Sequence, residues 1–214
     1  MLFRSGRVAL ARVPGVEAPT AMLSDVVDEA FLALRQRAAE AIGWDVLGTL
    51  EYAFVGINAP LPPGFAYNDW LYTGRAFAVD SRALASGLLE VVREDYGAET
   101  YWRLYMKASP QDGSIGEPLR VRAWDFTTRY TGDPSTYDRG GSLKSALPQG
   151  YFVDLTQLAA DYGFERVPAM SNWRTYFQGA RYNEFARTDG MTWLDAMRQV
   201  YPPEAVVTPT PVRP

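Results

Sequence analysis

Apolar positions recur at three-to-four spacing early in the chain: Val27, Phe31, Leu34, Ala38 and Ile42 fall on one face of a helix. Ser24 stands ahead of them as an N-cap, Asp25, Asp28 and Glu29 suit the positive end of the helix dipole, and Gly43 ends the pattern. The spacing predicts a helix over roughly residues 25–42. A second helical pattern, Trp193, Met197 and Val200, follows a Thr192/Asp195 capping box and stops at Tyr201-Pro202-Pro203. A third spans Phe152 to Tyr162, with Val153, Leu155, Leu158 and Ala159 inward and Gly163 as its stop.

Between the helices the period drops to two. Over Thr100 to Lys107, Trp102, Leu104 and Met106 alternate with Arg103, Tyr105 and Lys107, the signature of a half-buried strand, and Leu88 to Val92 reads as its neighbour. Asp112-Gly113-Ser114 is expected to turn the chain into a third strand, Pro118 to Trp124, completing an antiparallel meander. Another strand is expected around Arg181 to Arg187. Pro60-Leu61-Pro62-Pro63-Gly64 forces a loop, and residues 125–150 read as loop punctuated by Gly132-Asp133-Pro134 and Gly140-Gly141. Helices flanking an antiparallel meander predict an α+β fold. The expected organisation is an extended lead-in over 1–20, one domain over 21–205 and a Pro/Thr-rich tail over 206–214.

Composition narrows the function. A chain of 214 residues with 47% hydrophobic content carries enough apolar material for one sizeable core. No apolar run nears the ~18–20 residues a membrane span needs, and Met1-Leu2-Phe3-Arg4 breaks up before a signal-peptide core forms, so neither a span nor an export signal is expected in this chain. With a net charge of −4 there is no basic footprint for nucleic acid. Nineteen arginines against two lysines, Lys107 and Lys144, suit forked recognition of carboxylates and stacking on rings, although a GC-rich genome also accounts for the bias. Histidine and cysteine are both absent. Thiolate, imidazole and catalytic-zinc chemistry therefore lack their usual groups, and any metal has to be held by oxygen.

One segment carries a family pattern: Asp69-Trp70-Leu71-Tyr72-Thr73-Gly74-Arg75-Ala76-Phe77-Ala78. It resembles the Ser-x-His-x-x-Gly-x-Ala-x-Asp signature of the D-Ala-D-Ala carboxypeptidase-like zinc peptidases, in which the His and Asp bind zinc. Gly74 and Ala76 match at the right spacing, while Leu71 and Ala78 occupy the ligand positions. Leu155 to Phe164, ending in Tyr-Gly-Phe, looks like the helix ahead of that family's last metal motif. Arg181-Tyr182-Asn183-Glu184-Phe185 then takes the comparable place, with Tyr182 or Asn183 where a histidine would stand. The resemblance covers roughly residues 25–80 and 150–201, leaving 81–149 as an insertion. It implies a D,D-peptidase-like fold stripped of its zinc ligands, and hence of the water that zinc would activate.

What the resemblance implies is a non-catalytic binding domain without a cofactor. In the family fold the two stretches line one cleft, which would set Trp70, Tyr72 and Arg75 opposite Trp173, Arg174, Arg181 and Glu184. Such a groove suits a cell-wall peptide, a glycan or an envelope protein partner, in a bacterial, extracytoplasmic setting as part of a larger protein. Burial of Trp173, Tyr176 and Phe177 in the core, with the arginines paired to acids on the surface, is the competing expectation. A carboxylate-dependent hydrolase acting on a glycan, with Asp69 and Glu184 as its pair, is one alternative, and a scaffold or assembly subunit is another. Ser142-Leu143-Lys144-Ser145 lacks the Ser-x-x-Lys spacing, and no nucleophile elbow or phosphate loop is present.

Overall fold

The structure of the protein, a computed structural model, describes residues 8–60 and 65–206. Most of the Pro60-to-Gly64 loop, the start of the lead-in and the tail from residue 207 lie outside them. The elements in chain order are β1 (Leu10–Arg12), β2 (Met22–Ser24), α1 (Asp28–Ile42), β3 (Leu50–Tyr52), β4 (Ala76–Val79), α2 (Arg82–Ala85), β5 (Leu89–Tyr96), β6 (Glu99–Lys107), β7 (Trp124–Asp125), α3 (Pro134–Asp138), β8 (Ser142–Leu143), β9 (Phe152–Asp154), α4 (Leu155–Asp161), β10 (Glu165–Arg166), β11 (Glu184–Ala186) and α5 (Trp193–Val200). Strands pair antiparallel in four small sheets, ordered β1-β2, β10-β11-β4-β3, β5-β6-β9 and β7-β8. This is an α+β fold.

The helix α1 buries Phe31, Leu34, Ala38 and Ile42, and Gly43 closes it in the left-handed region, donating its N–H to the Ala39 carbonyl. It starts at Asp28 rather than near 25, because Ser24 is spent on β2, where it pairs with Leu10. The Ser24 carbonyl accepts the Val27 N–H in the turn between the two elements. The β5–β6 hairpin forms as the alternation requires, with Trp102, Leu104 and Met106 buried.

The third strand of that sheet is not the Pro118 to Trp124 run. Its place beside β6 belongs to β9, residues 152–154, pairing Lys107 with Phe152 and Tyr105 with Asp154. The start of the expected 152–162 helix is thus strand, and Asp154 caps the helix that follows by accepting the Gln157 N–H. Residues 125–150 are not simply loop either: they hold α3, β8 and a 3₁₀ turn at Phe126–Tyr130.

The β10-β11-β4-β3 sheet positions the site. Phe77 and Val79 of β4 and Phe185 of β11 point into the main core, where Phe77 packs on Phe31, Phe164 and Phe185. Alternation sends Ala76, Ala78, Glu184 and Ala186 to the opposite face. Ala76 and Ala186 there join a second apolar cluster with Val55, Phe65, Leu71, Tyr72 and Met197. Three alanines on one face leave space beside the long side chain of Glu184.

Candidate functional site

Two turns deliver the polar groups of this face. Asp69 caps the 3₁₀ turn Trp70–Thr73, its Oδ1 accepting the Leu71 N–H at 2.9 Å. Its Oδ2 is then left to face Arg181, at the end of another 3₁₀ turn, Phe177–Ala180. Arg181 lies in the left-handed region, with φ of 49°, a conformation uncommon outside glycine. One nitrogen of its guanidinium, Nη2, lies 2.7 Å from Asp69 Oδ2 and 2.7 Å from Glu184 Oε2, while Nε donates to Glu184 Oε2 at 2.9 Å. The Asp69 side chain is fully buried and those of Arg181 and Glu184 nearly so.

Two acids around one base leave a negative charge that burial makes costly, so one proton is retained. Burial pushes Glu184 up to about 8, helped by the negative charges of Asp69 and Glu51 and opposed by Arg181. Asp69 is raised too, by burial first, with Arg181 and the Leu71 N–H pulling it back. Both groups contact the same cation, and the proton belongs to the cluster.

A pocket of about 320 Å³ opens over Glu184, lined among others by Glu51, Tyr52, Ala78, Arg181 and Tyr182. Phe65, Phe177, Ser81 and Asn183 complete much of its wall. Glu51 Oε2 accepts from the Ser81 N–H at 3.2 Å and from the Asn183 amide at 3.0 Å. Tyr182 is buried, and its hydroxyl is pushed well above the usual tyrosine range by that burial and by the nearby Glu51 and Asp80.

Of the positions that the sequence resemblance sets against zinc ligands, Ala78 and Tyr182 line this pocket, and Leu71 packs in the apolar cluster on the same side of the sheet. Asn183, the other candidate for the histidine place, donates to Glu51 and to the Val79 carbonyl. Among the described residues no three His, Cys, Asp or Glu side chains converge on a point where they would hold a metal ion.

The broad aromatic cleft does not form. Trp173 is core, packed edge-on to Trp102 at 5.1 Å and beside Trp124. Tyr72 is buried in the second cluster, and Trp70 packs against it. Arg75 is buried facing away from the pocket, bound to Asp189 at 2.8 Å and to the Arg187 carbonyl. Arg174 is exposed, its guanidinium 5.4 Å from the Trp173 ring centroid. Tyr176 stands at the surface. Only Arg181 and Glu184 of the expected set reach the cavity. Asp69 supports it from behind without lining it.

Glu51, Ser81, Phe65 and Phe177 carry no motif that marks them. They meet at the pocket only because β3, the turn after β4 and the 177–180 turn converge over the alanine face. Comparison with family models, with curated proteins and with solved structures finds no match to this chain. Among the described residues no helix is long and apolar enough to cross a membrane.

Proposed function

We propose that the chain is a non-catalytic binding domain, a degenerate relative of the D,D-peptidase-like fold, which holds a group of a cell-wall peptide or glycan in the Glu184 pocket. The observation that carries this reading is the single Arg181 nitrogen bonded to two buried carboxyls. It fixes the polar wall before any ligand arrives, so little ordering entropy is spent on binding. The two alanine-or-leucine positions of the motif offer hydrocarbon where zinc would need nitrogen or oxygen.

The carboxylate-hydrolase reading has less support. Asp69 and Glu184 are close, but a glycosidase needs both carboxyls at the scissile bond, and Asp69 is sealed behind Arg181. In favour of that reading stands only the proton that Glu184 holds near neutrality. For a scaffold role, the exposed aromatics Tyr67, Tyr96, Tyr130 and Tyr137 offer some apolar surface.

Incubation with purified peptidoglycan and with soluble muropeptides, with and without added zinc, tests the proposal. Sedimentation with the wall and unchanged muropeptide masses are expected. Release of any cleaved muropeptide would overturn it.

A further inference from the structure

The pocket has a charge imbalance and, among the described residues, two carboxyl oxygens that no donor reaches. Glu184 is 5% exposed and lines the cavity. Both of its contacts with Arg181 fall on Oε2, and among the described residues no donor reaches Oε1. Glu51 repeats the arrangement: Oε2 takes the Ser81 and Asn183 donors, and no donor among the described residues reaches Oε1. Around Glu184 stand Asp69 and Glu51 as acids and Arg181 as the base, while Asp80, near Tyr182, is held by Arg82. Acid exceeds base here, so an anionic ligand would be repelled.

Four aromatic rings share the rest of the wall with Ala78, Ser81, Gln178 and Asn183. Tyr52 and Phe65 meet edge-on with ring centroids at 4.9 Å, and Phe177 and Tyr182 lie 6.1 Å apart. An ammonium offers three N–H donors and a positive charge that ring faces attract, whereas a neutral hydroxyl brings no charge. From these contacts we infer that the pocket recognises a primary ammonium group, taken by Glu51 and Glu184 among the rings of Tyr52, Phe65, Phe177 and Tyr182. An adjoining pocket of about 460 Å³ shares Ser81, Phe177 and Tyr182, so the body of an amine-bearing ligand has room to continue along the surface. The inference rests on the binding reading above and names its ligand class.

Binding is linked to the proton on Glu184, since the ammonium is attracted to the ionised form. Affinity therefore rises with pH through the range in which Glu184 ionises, while an alkylamine, ionising near ~10.4, keeps its charge.

The test is amide-shift NMR on the full chain, titrated with n-butylammonium chloride at pH 6 and pH 9. Potassium butyrate and n-butanol serve as probes of equal length. Saturable shifts at residues 51, 182 and 184 are expected for the amine alone, about tenfold tighter at pH 9. Glu51→Gln, which keeps an acceptor for Ser81, should weaken the amine by at least about fivefold. Glu184→Gln should flatten the pH dependence. Equal response to butyrate or butanol, no saturable response to the amine, or unchanged affinity in Glu51→Gln would each overturn the inference. Wall binding that persists without an amine response sinks the ligand class alone, and muropeptide cleavage sinks the binding-domain reading while leaving the amine pocket standing.

Discussion

Asp69 and Arg181, 112 residues apart in sequence, are joined by a 2.7 Å ion pair in which the aspartate side chain has no solvent exposure. The same guanidinium holds Glu184. Removing the cation would strand two acids in the interior. Arg181→Met is expected to cost about 3–5 kcal/mol of stability, read from the midpoint of urea unfolding at pH 7. A loss below about 1 kcal/mol would mean that the cluster is open to water.

Stability should fall as the solution turns alkaline. Glu184 binds its proton more tightly folded than unfolded, so the folded state carries the extra proton between the ordinary glutamate range and about 8. Unfolding free energy then declines across that window by up to about 1.4 kcal/mol per pH unit and flattens above it. Asp80, Asp95 and Asp189 have lowered values, so their contribution disappears only as the solution is acidified below the usual aspartate range. Urea titrations from pH 4 to 9 should show a maximum near the acidic end of this span, and Glu184→Gln should remove the alkaline decline.

Asp69→Asn keeps the cap on the Leu71 N–H and deletes one negative charge. Glu184 then loses its strongest repulsive neighbour and gains undivided access to Arg181. Its carboxyl carbon, followed by ¹³C NMR, should titrate at lower pH than in the parent protein. An upward displacement would contradict the shared-proton account.

Position 74 has room for glycine only. Its φ is 67°, and an added Cβ would meet Leu10 Cδ2 at 2.7 Å and the Ser24 backbone nitrogen at 3.0 Å. Gly74→Ala should cost about 2 kcal/mol, from the left-handed backbone and the displaced β1–β2 hairpin. Calorimetry would show a melting temperature lower by roughly 4–8 °C.

Trp173 and Arg174 are adjacent but belong to different environments. Trp173→Ala should lose about 3–5 kcal/mol by opening a hole beside Trp102 and Trp124. Arg174→Ala should change stability by less than about 1 kcal/mol. Comparable losses at the two positions in thermal melts would show that Trp173 is not core.

Elements with a strong period or a complete cap were legible in the chain. The Thr192/Asp195 box sets α5, with Thr192 Oγ1 accepting the Asp195 N–H at 3.2 Å, and the Trp102, Leu104, Met106 alternation sets β6. Local signals misled where two patterns overlapped. Val153 fits the helical face of 155–159 as well as a strand, and only pairing with Met106 decides between them. Part of the candidate site was also visible: Arg181 and Glu184 lie in the stretch from Arg181 to Phe185, and Asp69 heads the separate stretch from Asp69 to Ala78. Glu51 was not, because a single polar residue in a three-residue strand leaves no periodic trace, and its role depends on contacts with Ser81 and Asn183 far along the chain. The aromatic residues misled for a physical reason: indoles bury as readily in a core as they line a groove, and composition does not distinguish the two.

The carbonyl of Asp69 also accepts the indole N–H of Trp193, at 2.9 Å, on the first turn of α5. One residue thus ties the hidden carboxylate to the C-terminal helix as well as to the 177–180 turn. Excising that helix would uncover the aspartate and loosen the anchor of the arginine, so the polar wall of the pocket does not survive as a transplantable strand pair.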